Sequence, residues 1–316
     1  MISNKINHYR YLFGPVHSRR LGISLGIDLV PHKTCTLNCV YCECGKTTRL
    51  TLERDEYVPT EEIINELDLF LSGAPKLDFI TFSGAGEPTL HSGIGEVIDF
   101  IKSRFPEYRT ALLTNGTLFS DPQVRTHVAA ADVVIASLDA AAAGCFKRIN
   151  RPHPGLNIDT IIDGLAAFQK EYKHRFFIEI FIVPGLNDTT EELNSIKTSI
   201  KRIGSDGVHL NTLDRPGTEH WVQPATRDSL RQIAGHLGDV GVIRLEPGAL
   251  ERGEPVEDMY QRILSTIKRR PCTARDLVNM FGLHQTQLQP FLDKSLKEGK
   301  IEKKEMERGV FYWARA

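Results

Sequence analysis

Four cysteines fall within one short stretch, Cys35-Thr-Leu-Asn-Cys39-Val-Tyr-Cys42-Glu-Cys44. Thiolates are soft ligands and redox groups, so clustered thiols in a chain without a disulfide framework read as metal or redox chemistry. A structural zinc site takes four ligands, commonly from two separated knuckles. No second knuckle follows here, and Cys42 and Cys44 lie too close in sequence to share a tetrahedron comfortably. Cys35, Cys39 and Cys42 instead suit three irons of a [4Fe–4S] cube, with the fourth iron open to an exogenous ligand. Ferredoxin-type sites close the cube with four cysteines; three make a site built to bind something. Zinc and chance clustering stay open on the spacing alone. Cys145 and Cys272 are isolated and read as small buried hydrophobes.

Other residues able to do chemistry sit where apolar runs end. They are Ser83-Gly84-Ala85-Gly86-Glu87-Pro88, Thr114-Asn115-Gly116, Ser137-Leu138-Asp139, Pro184-Gly185-Leu186-Asn187-Asp188, and His209 to Pro216. Polar residues and glycines repeated at one end of successive runs are hard to assign to packing. The runs themselves, at 23–30, 77–82, 110–114, 132–138, 175–183 and 208–213, read as strands. Helical spacing fills the intervals at 60–67, 95–105, 122–130, 158–172 and 191–203, the helix at 60 with Thr60 as its N-cap. Strands alternating with helices mean βαβ units and a parallel sheet. The expected fold is α/β, a partial (β/α)6 TIM-type barrel, with its chemistry at the carboxyl ends of the strands.

Composition bounds the rest. The 316 residues carry 39 Lys and Arg against 40 Asp and Glu, so a wholesale polyanion binder is excluded while a local basic patch is not. With 41% hydrophobic residues the chain can bury a large core. No run of about 18 apolar residues occurs, so no membrane span is expected, and the first ten residues lack the apolar core of a signal peptide. The expected location is cytoplasmic, where thiols stay reduced.

The ordered combination of Cys35-x3-Cys39-x2-Cys42 with Tyr41 before the third cysteine, the Gly84-Ala85-Gly86-Glu87-Pro88 element after the second strand, and a six-unit barrel resembles the radical SAM (S-adenosylmethionine) superfamily. The likeness covers roughly residues 10 to 245. Phe13-Gly14-Pro15-Val16, Thr114-Asn115-Gly116-Thr117-Leu118 and Ser137-Leu138-Asp139-Ala140 resemble the branch that includes the wybutosine-type tRNA-modifying Fe–S oxidoreductases. That enzyme carries a further cysteine cluster near its N-terminus, and no cysteine precedes Cys35 here, so its particular reaction is not transferred. The resemblance implies two cofactors, a [4Fe–4S] cluster on Cys35, Cys39 and Cys42 and S-adenosylmethionine on the open iron. It implies reductive cleavage to a 5′-deoxyadenosyl radical that acts on the substrate, with an external one-electron donor of flavodoxin or ferredoxin type. Glu87 with Gly84, Ala85 and Gly86 would take the methionine amino group, against a plain reading as a capped turn. Ser137 and Asp139 would reach the ribose hydroxyls, against a helix cap; Asn115 is a similar candidate in an ordinary Asn-Gly turn. Gly185 and Leu186 would pack near adenine, against a plain loop.

Beyond an acidic linker the character changes. Residues 258–316 hold 12 Lys and Arg against 7 acids. Two helices, a turn at Phe281-Gly282-Leu283, a third helix to Lys297 and a hairpin resemble a small winged helix-turn-helix domain. The expected domains are 1–250 and 257–316. Pro290 would strain the third helix, and the basic residues lie in Lys268-Arg269-Arg270 and Lys303-Lys304 rather than on that helix. The module leans towards an RNA substrate, with sequence-specific DNA binding through the third helix and contact to protein or to the barrel as the other readings. An alternative function from another class is an iron–sulfur sensor that regulates nucleic-acid binding through the winged helix. Arg19 and Arg20 read either as contacts to an anionic substrate or as a solvated pair.

Overall fold

The computed structural model describes residues 9–18, 20–238, 240–242, 256–306 and 309–314. The apolar run before the cysteines forms a strand, but not the first one. Leu12–Ser18 (β1) precedes Gly22–Asp28 (β2) and pairs with it antiparallel. The cysteine loop starts from a two-residue strand, Thr34–Cys35 (β3), bridged to Arg49–Leu50 (β4). Alternation then takes over: Thr60–Leu71 (α1), Phe79–Ser83 (β5), Ile94–Arg104 (α2), Thr110–Thr114 (β6), Pro122–Val128 (α3), Val133–Ser137 (β7), Ala143–Ile149 (α4), Ile158–Glu171 (α5), Arg175–Ile182 (β8), Thr190–Ile203 (α6), Gly207–Thr212 (β9), Arg227–Leu237 (α7) and Val240–Val242 (β10).

The sheet order is β1-β2-β5-β6-β7-β8-β9-β10. Every neighbour pair from β2 onward is parallel. The six expected strands are therefore consecutive, with an antiparallel strand added at one edge and a parallel one at the other. The result is a mixed α/β fold around a parallel sheet whose strand ends Asp28, Ser83, Thr114, Ser137 and Thr212 come to one side. Both faces of the strands are buried, so they read as continuous apolar runs. The helices supply the cover: Ile63, Leu67 and Leu71 of α1 recur at fourth positions and are all buried. Thr60 is not the cap of α1. It is the first helical residue, and the Glu56 carboxylate accepts its N–H at 2.8 Å.

The C-terminal elements are Val256–Arg269 (α8), Cys272–Thr273 (β11), Ala274–Phe281 (α9), Gln285–Lys297 (α10), Ile301–Met306 (β12) and Gly309–Ala314 (β13). The three strands form an antiparallel sheet in the order β11-β13-β12. They share a second core, which includes Ile263, Ile267, Leu277, Leu288 and Leu292 and takes in Val16 of β1. The linker expected at 245–256 lies outside the described residues apart from Val256, which opens α8. Helix α10 continues through Pro290; Thr286 and Pro290 are both exposed, so the carbonyl left without a donor can be hydrated.

Two arginines join these elements to the parallel sheet. Arg269 pairs with Asp28 at 2.6 Å and lies over the Phe13 ring. Arg215, just past β9, donates to the Pro271 carbonyl at 2.7 Å and pairs with Asp276 at 3.2 Å and Glu43 at 3.5 Å. Its side chain is only 4% exposed. Replacing it with methionine strands two or three buried carboxylates. We expect a loss of about 3–5 kcal/mol, the usual cost of breaking a buried pair from one side, seen in calorimetry as a lower Tm and in faster proteolysis around residues 256–306. An unchanged Tm would mean that the seam rests on apolar contact alone.

Candidate active site at the carboxyl ends of the strands

Cys35, Cys39, Cys42 and Cys44 are half-buried and unbridged. A cavity of about 190 Å³ opens beside them, lined by Cys35, Cys39, Tyr41, Gly86, Glu87, Thr114, Asn115 and Ser137, with Arg20 and Glu179 on its far wall. Each of the three expected ligand thiols has a nitrogen donor of its own. Asn115 Nδ2 is 3.6 Å from Cys35 Sγ, Asn150 Nδ2 is 3.4 Å from Cys39 Sγ, and Lys33 Nζ is 2.9 Å from Cys42 Sγ. Such bonds to sulfur are among the levers that set the potential of a thiolate-held cluster.

The electrostatics split the three thiols. A hydrogen bond from the Cys44 thiol, followed by the Lys33 ammonium, holds Cys42 down at about 5 against the burial that opposes it. Burial, then the Glu87 carboxylate, pushes Cys35 up to about 11. Burial, then Asp139, raises Cys39 as well. Cys42 is thus the most acidic of the three, while burial keeps its two neighbours harder to deprotonate. Among the described residues no three His, Cys, Asp or Glu side chains are placed to hold a single metal ion. Three soft donors on one loop, each with an N–H or ammonium aimed at it, fit a polynuclear iron–sulfur cluster.

The element after β5 packs directly on this loop. Gly84 has φ +126°, and a Cβ there would meet the Asp28 carboxylate; one at Gly86 would run into the Thr34 carbonyl beside Cys35. The Ala85 carbonyl accepts from the Lys33 N–H at 2.5 Å, and the Thr34 carbonyl from the Glu87 N–H at 3.1 Å. Glycine is required here because two backbones touch. Glu87 is 1% exposed. Its Oε1 accepts from Thr89 N at 3.0 Å, Thr89 Oγ1 at 2.6 Å and Thr114 Oγ1 at 2.6 Å, and its Oε2 from Asn115 N at 2.7 Å. It caps the 3-10 turn Pro88–Leu90 and borders the cavity, with lone-pair capacity left on Oε2.

The other expected residues divide. Ser137 ends β7 and lines the cavity. Asp139 lies in a narrow pocket alongside, with its carboxylate already engaged: Oδ1 accepts from Phe181 N at 2.9 Å, Oδ2 from Asn150 Nδ2 at 2.7 Å and from the Tyr41 hydroxyl. Tyr41 stacks on Phe181 at 3.9 Å between ring centroids, so Asp139 ties the cysteine loop to β8. Asn115 Oδ1 accepts from Thr117, while its amide donates to Thr36 and Cys35. Gly185 is exposed in a left-handed turn, its N–H on Asp188, outside the cavity. Arg19 lies outside the described residues; Arg20 is not a solvated residue but pairs with Glu179, both in the lining of the cavity.

Sequence reasoning missed Lys33, Asn150 and Glu179. Lys33 is 4% exposed with φ +60°, and a lysine next to a cysteine loop carries no signal of burial. Asn150 follows α4, a helix too short to stand out; its Oδ1 is buried with no partner and borders the narrow pocket. Glu179 had a signal: it is the one acid within the otherwise apolar Phe176-Phe177-Ile178-Glu179-Ile180-Phe181, in register with Ser137.

A family model described as the radical SAM superfamily matches residues 29–195. The UPF0026 protein of Methanocaldococcus jannaschii is 30% identical over 309 residues, covering 95% of this chain and 94% of that protein. A protein of Brachyspira hyodysenteriae named GTPase Obg is 31% identical over 306 residues, covering 96% of this chain. The chain spans only 45% of that relative's length. Among solved structures, a radical SAM methyltransferase from Sphaerobacter thermophilus aligns with a TM-score of 0.52 at 15% identity, over 69% of this chain and 66% of that one; this likeness is one of fold.

Proposed function

The chain belongs to the radical SAM superfamily and is an enzyme of that class, with a [4Fe–4S] cluster and S-adenosylmethionine as cofactors, and we propose that Cys35, Cys39 and Cys42 hold the cluster while the adjoining cavity holds the nucleotide. The observation that carries this reading is the cavity itself: two of the three thiols, the Gly86-Glu87 element and Ser137 line one space. When bound, the cluster supplies one electron to the sulfonium, which breaks its C–S bond and gives the 5′-deoxyadenosyl radical.

The chain's own residues have distinct tasks. Lys33 offsets the negative charge of the thiolate set at Cys42. The Asn115 and Asn150 amides donate to the other two sulfurs. Glu87 Oε2, held in place by four donors, accepts from the ammonium of the methionine moiety. Ser137 Oγ and the unpartnered Asn150 Oδ1 receive the ribose hydroxyls, with Asp139 positioning Asn150 rather than meeting the sugar. Gly185 supports the turn that follows β8. An external donor of flavodoxin or ferredoxin type delivers the electron.

The substrate is read as anionic. RNA is one candidate for that anion, on the basic residues Lys268-Arg269-Arg270 and Lys303-Lys304, although Arg269 is committed to Asp28 and Arg270 reaches Met280 beside a cavity. The units 1–250 and 257–316 are read as two domains, the second a winged helix, supported by its helix–strand–helix–helix–hairpin order. The sensor alternative draws on the same module and has no use for a Gly-Ala-Gly-Glu-Pro element beside the thiols. Among the described residues no helix is long and apolar enough to cross a membrane.

Electron paramagnetic resonance of the reduced, reconstituted protein tests the proposed placement. Addition of S-adenosylmethionine is expected to change the cluster spectrum in the wild type, and to change it less in Ser137→Ala at equal nucleotide concentration. A spectrum indifferent to the nucleotide would refute the open corner.

A further inference from the structure

A second cavity, of about 230 Å³, lies at the seam between the parallel sheet and the C-terminal helices. It shares Arg20 and Leu113 with the first cavity, so the two spaces meet at a common wall. Cys44, whose thiol donates to Cys42, is in its lining. The new space therefore begins one side chain away from the proposed cluster loop.

Its charge is unusual. Four arginines line it, Arg20, Arg215, Arg269 and Arg270, against one acid, Asp214. Three have acids within the protein: Glu179 for Arg20, Asp276 and Glu43 for Arg215, and Asp28 for Arg269. Arg270 does not. Among the described residues no carboxylate forms an ion pair with it, and the side-chain partner it has is the Met280 thioether at 3.7 Å, a weak acceptor. Arg215, itself a cation, disfavours its charge, and burial does too; the Glu43 carboxylate opposes both from outside ion-pair distance. A guanidinium cannot shed its proton in a protein, and a sequestered cation without a directly paired acid is costly. An anionic ligand would bring the direct ion pair that Arg270 lacks among the described residues, and the planar fork of arginine matches carboxylate and phosphate oxygens two at a time.

Resting on the radical SAM reading, we infer that this second cavity is the substrate pocket, and that Arg270, carried by the C-terminal elements, anchors the carboxylate or phosphate of a small-molecule substrate next to the cofactor cavity. The volume is below the roughly 300–1,000 Å³ of pockets for drug-sized ligands, which suits a compact metabolite rather than a stretch of nucleic acid. The C-terminal module then closes the active site and contributes to it, instead of acting as an independent nucleic-acid reader.

The experiment compares reconstituted wild type with Arg270→Met at constant ionic strength. Inorganic phosphate and succinate are the two probes, followed by calorimetric titration and thermal melting. Wild type is expected to bind one of the two, which identifies the anion class, and to melt higher in its presence. Arg270→Met is expected to bind it about 10- to 100-fold more weakly, the loss of a charge-assisted bidentate contact, and to melt no lower than wild type without ligand, because the substitution removes a sequestered charge that has no direct ion pair. A lower ligand-free Tm in Arg270→Met would assign the side chain a structural role and overturn the inference. So would equal binding by both proteins, binding of neither probe by wild type, or Arg270-dependent binding of a short RNA hairpin with neither small anion bound. Formation of 5′-deoxyadenosine by wild type without substrate reports on the radical SAM reading by itself, so failure of that reading is not confused with failure of this one.

Discussion

Alanine at Cys35, Cys39 or Cys42, one position at a time, is expected to remove iron and sulfide from the anaerobically reconstituted protein. Cleavage of S-adenosylmethionine should fall by more than about 100-fold, beyond the 10–100-fold typical of partners that only support a metal ligand. The three losses should be alike, although the thiols differ. Cys44 and Lys33 favour the thiolate form of Cys42, whereas burial and Glu87 disfavour that of Cys35, whose proton a metal would displace. Cys44→Ala is the control. Its thiol points to Cys42 and to the second cavity, so the variant should keep most of its iron. Iron and sulfide measured chemically, with the visible absorption of the cluster, decide the matter. Loss of iron in Cys44→Ala as complete as in the other three would make the site a four-thiolate one, with no open corner.

Glu87→Ala carries the next largest effect. It leaves the Thr89 N–H and hydroxyl, the Thr114 hydroxyl and the Asn115 N–H without their acceptor in a buried place. An unsatisfied buried donor costs about 1–3 kcal/mol; with partial rearrangement we expect a total of about 3–5 kcal/mol, together with loss of nucleotide binding. Burial, opposed by those same donors, holds the Glu87 carboxyl above the ordinary range. Glu87→Gln separates the two roles. Its single oxygen retains part of the cap, but its NH₂ faces donors and cannot accept from a substrate ammonium. Its Tm should fall by less than that of Glu87→Ala while the affinity for S-adenosylmethionine falls at least tenfold. Equal affinity in Glu87→Gln and wild type would reduce Glu87 to a turn cap.

The alternation of apolar runs and helical spacing was enough to place β2 and β5 to β9, because buried parallel strands are written as continuous apolar runs. What it missed lacks that signature. β1 carries Gly14 and Pro15, which break an apolar run, and α4 has seven residues, too few for a period to show. The lining of the candidate cavity was legible where residue type alone implies chemistry: Cys35, Cys39, Gly86, Glu87 and Ser137. Spacing could not reveal how polar side chains divide between a ligand and each other. Asp139 turned out to be occupied by Tyr41, Asn150 and Phe181, and Glu87 to be a cap as well as a cavity wall. Arg269 and Arg270 read in sequence as part of a basic segment for contact with nucleic acid, protein or the barrel. Only the fold shows that one pairs with Asp28 and the other faces a cavity.

The most direct test is to reduce the anaerobically reconstituted wild type with dithionite in the presence of S-adenosylmethionine and quantify 5′-deoxyadenosine. The account predicts its formation by wild type and background amounts with Cys42→Ala. No 5′-deoxyadenosine above that background from protein with a full complement of iron and sulfide would contradict it.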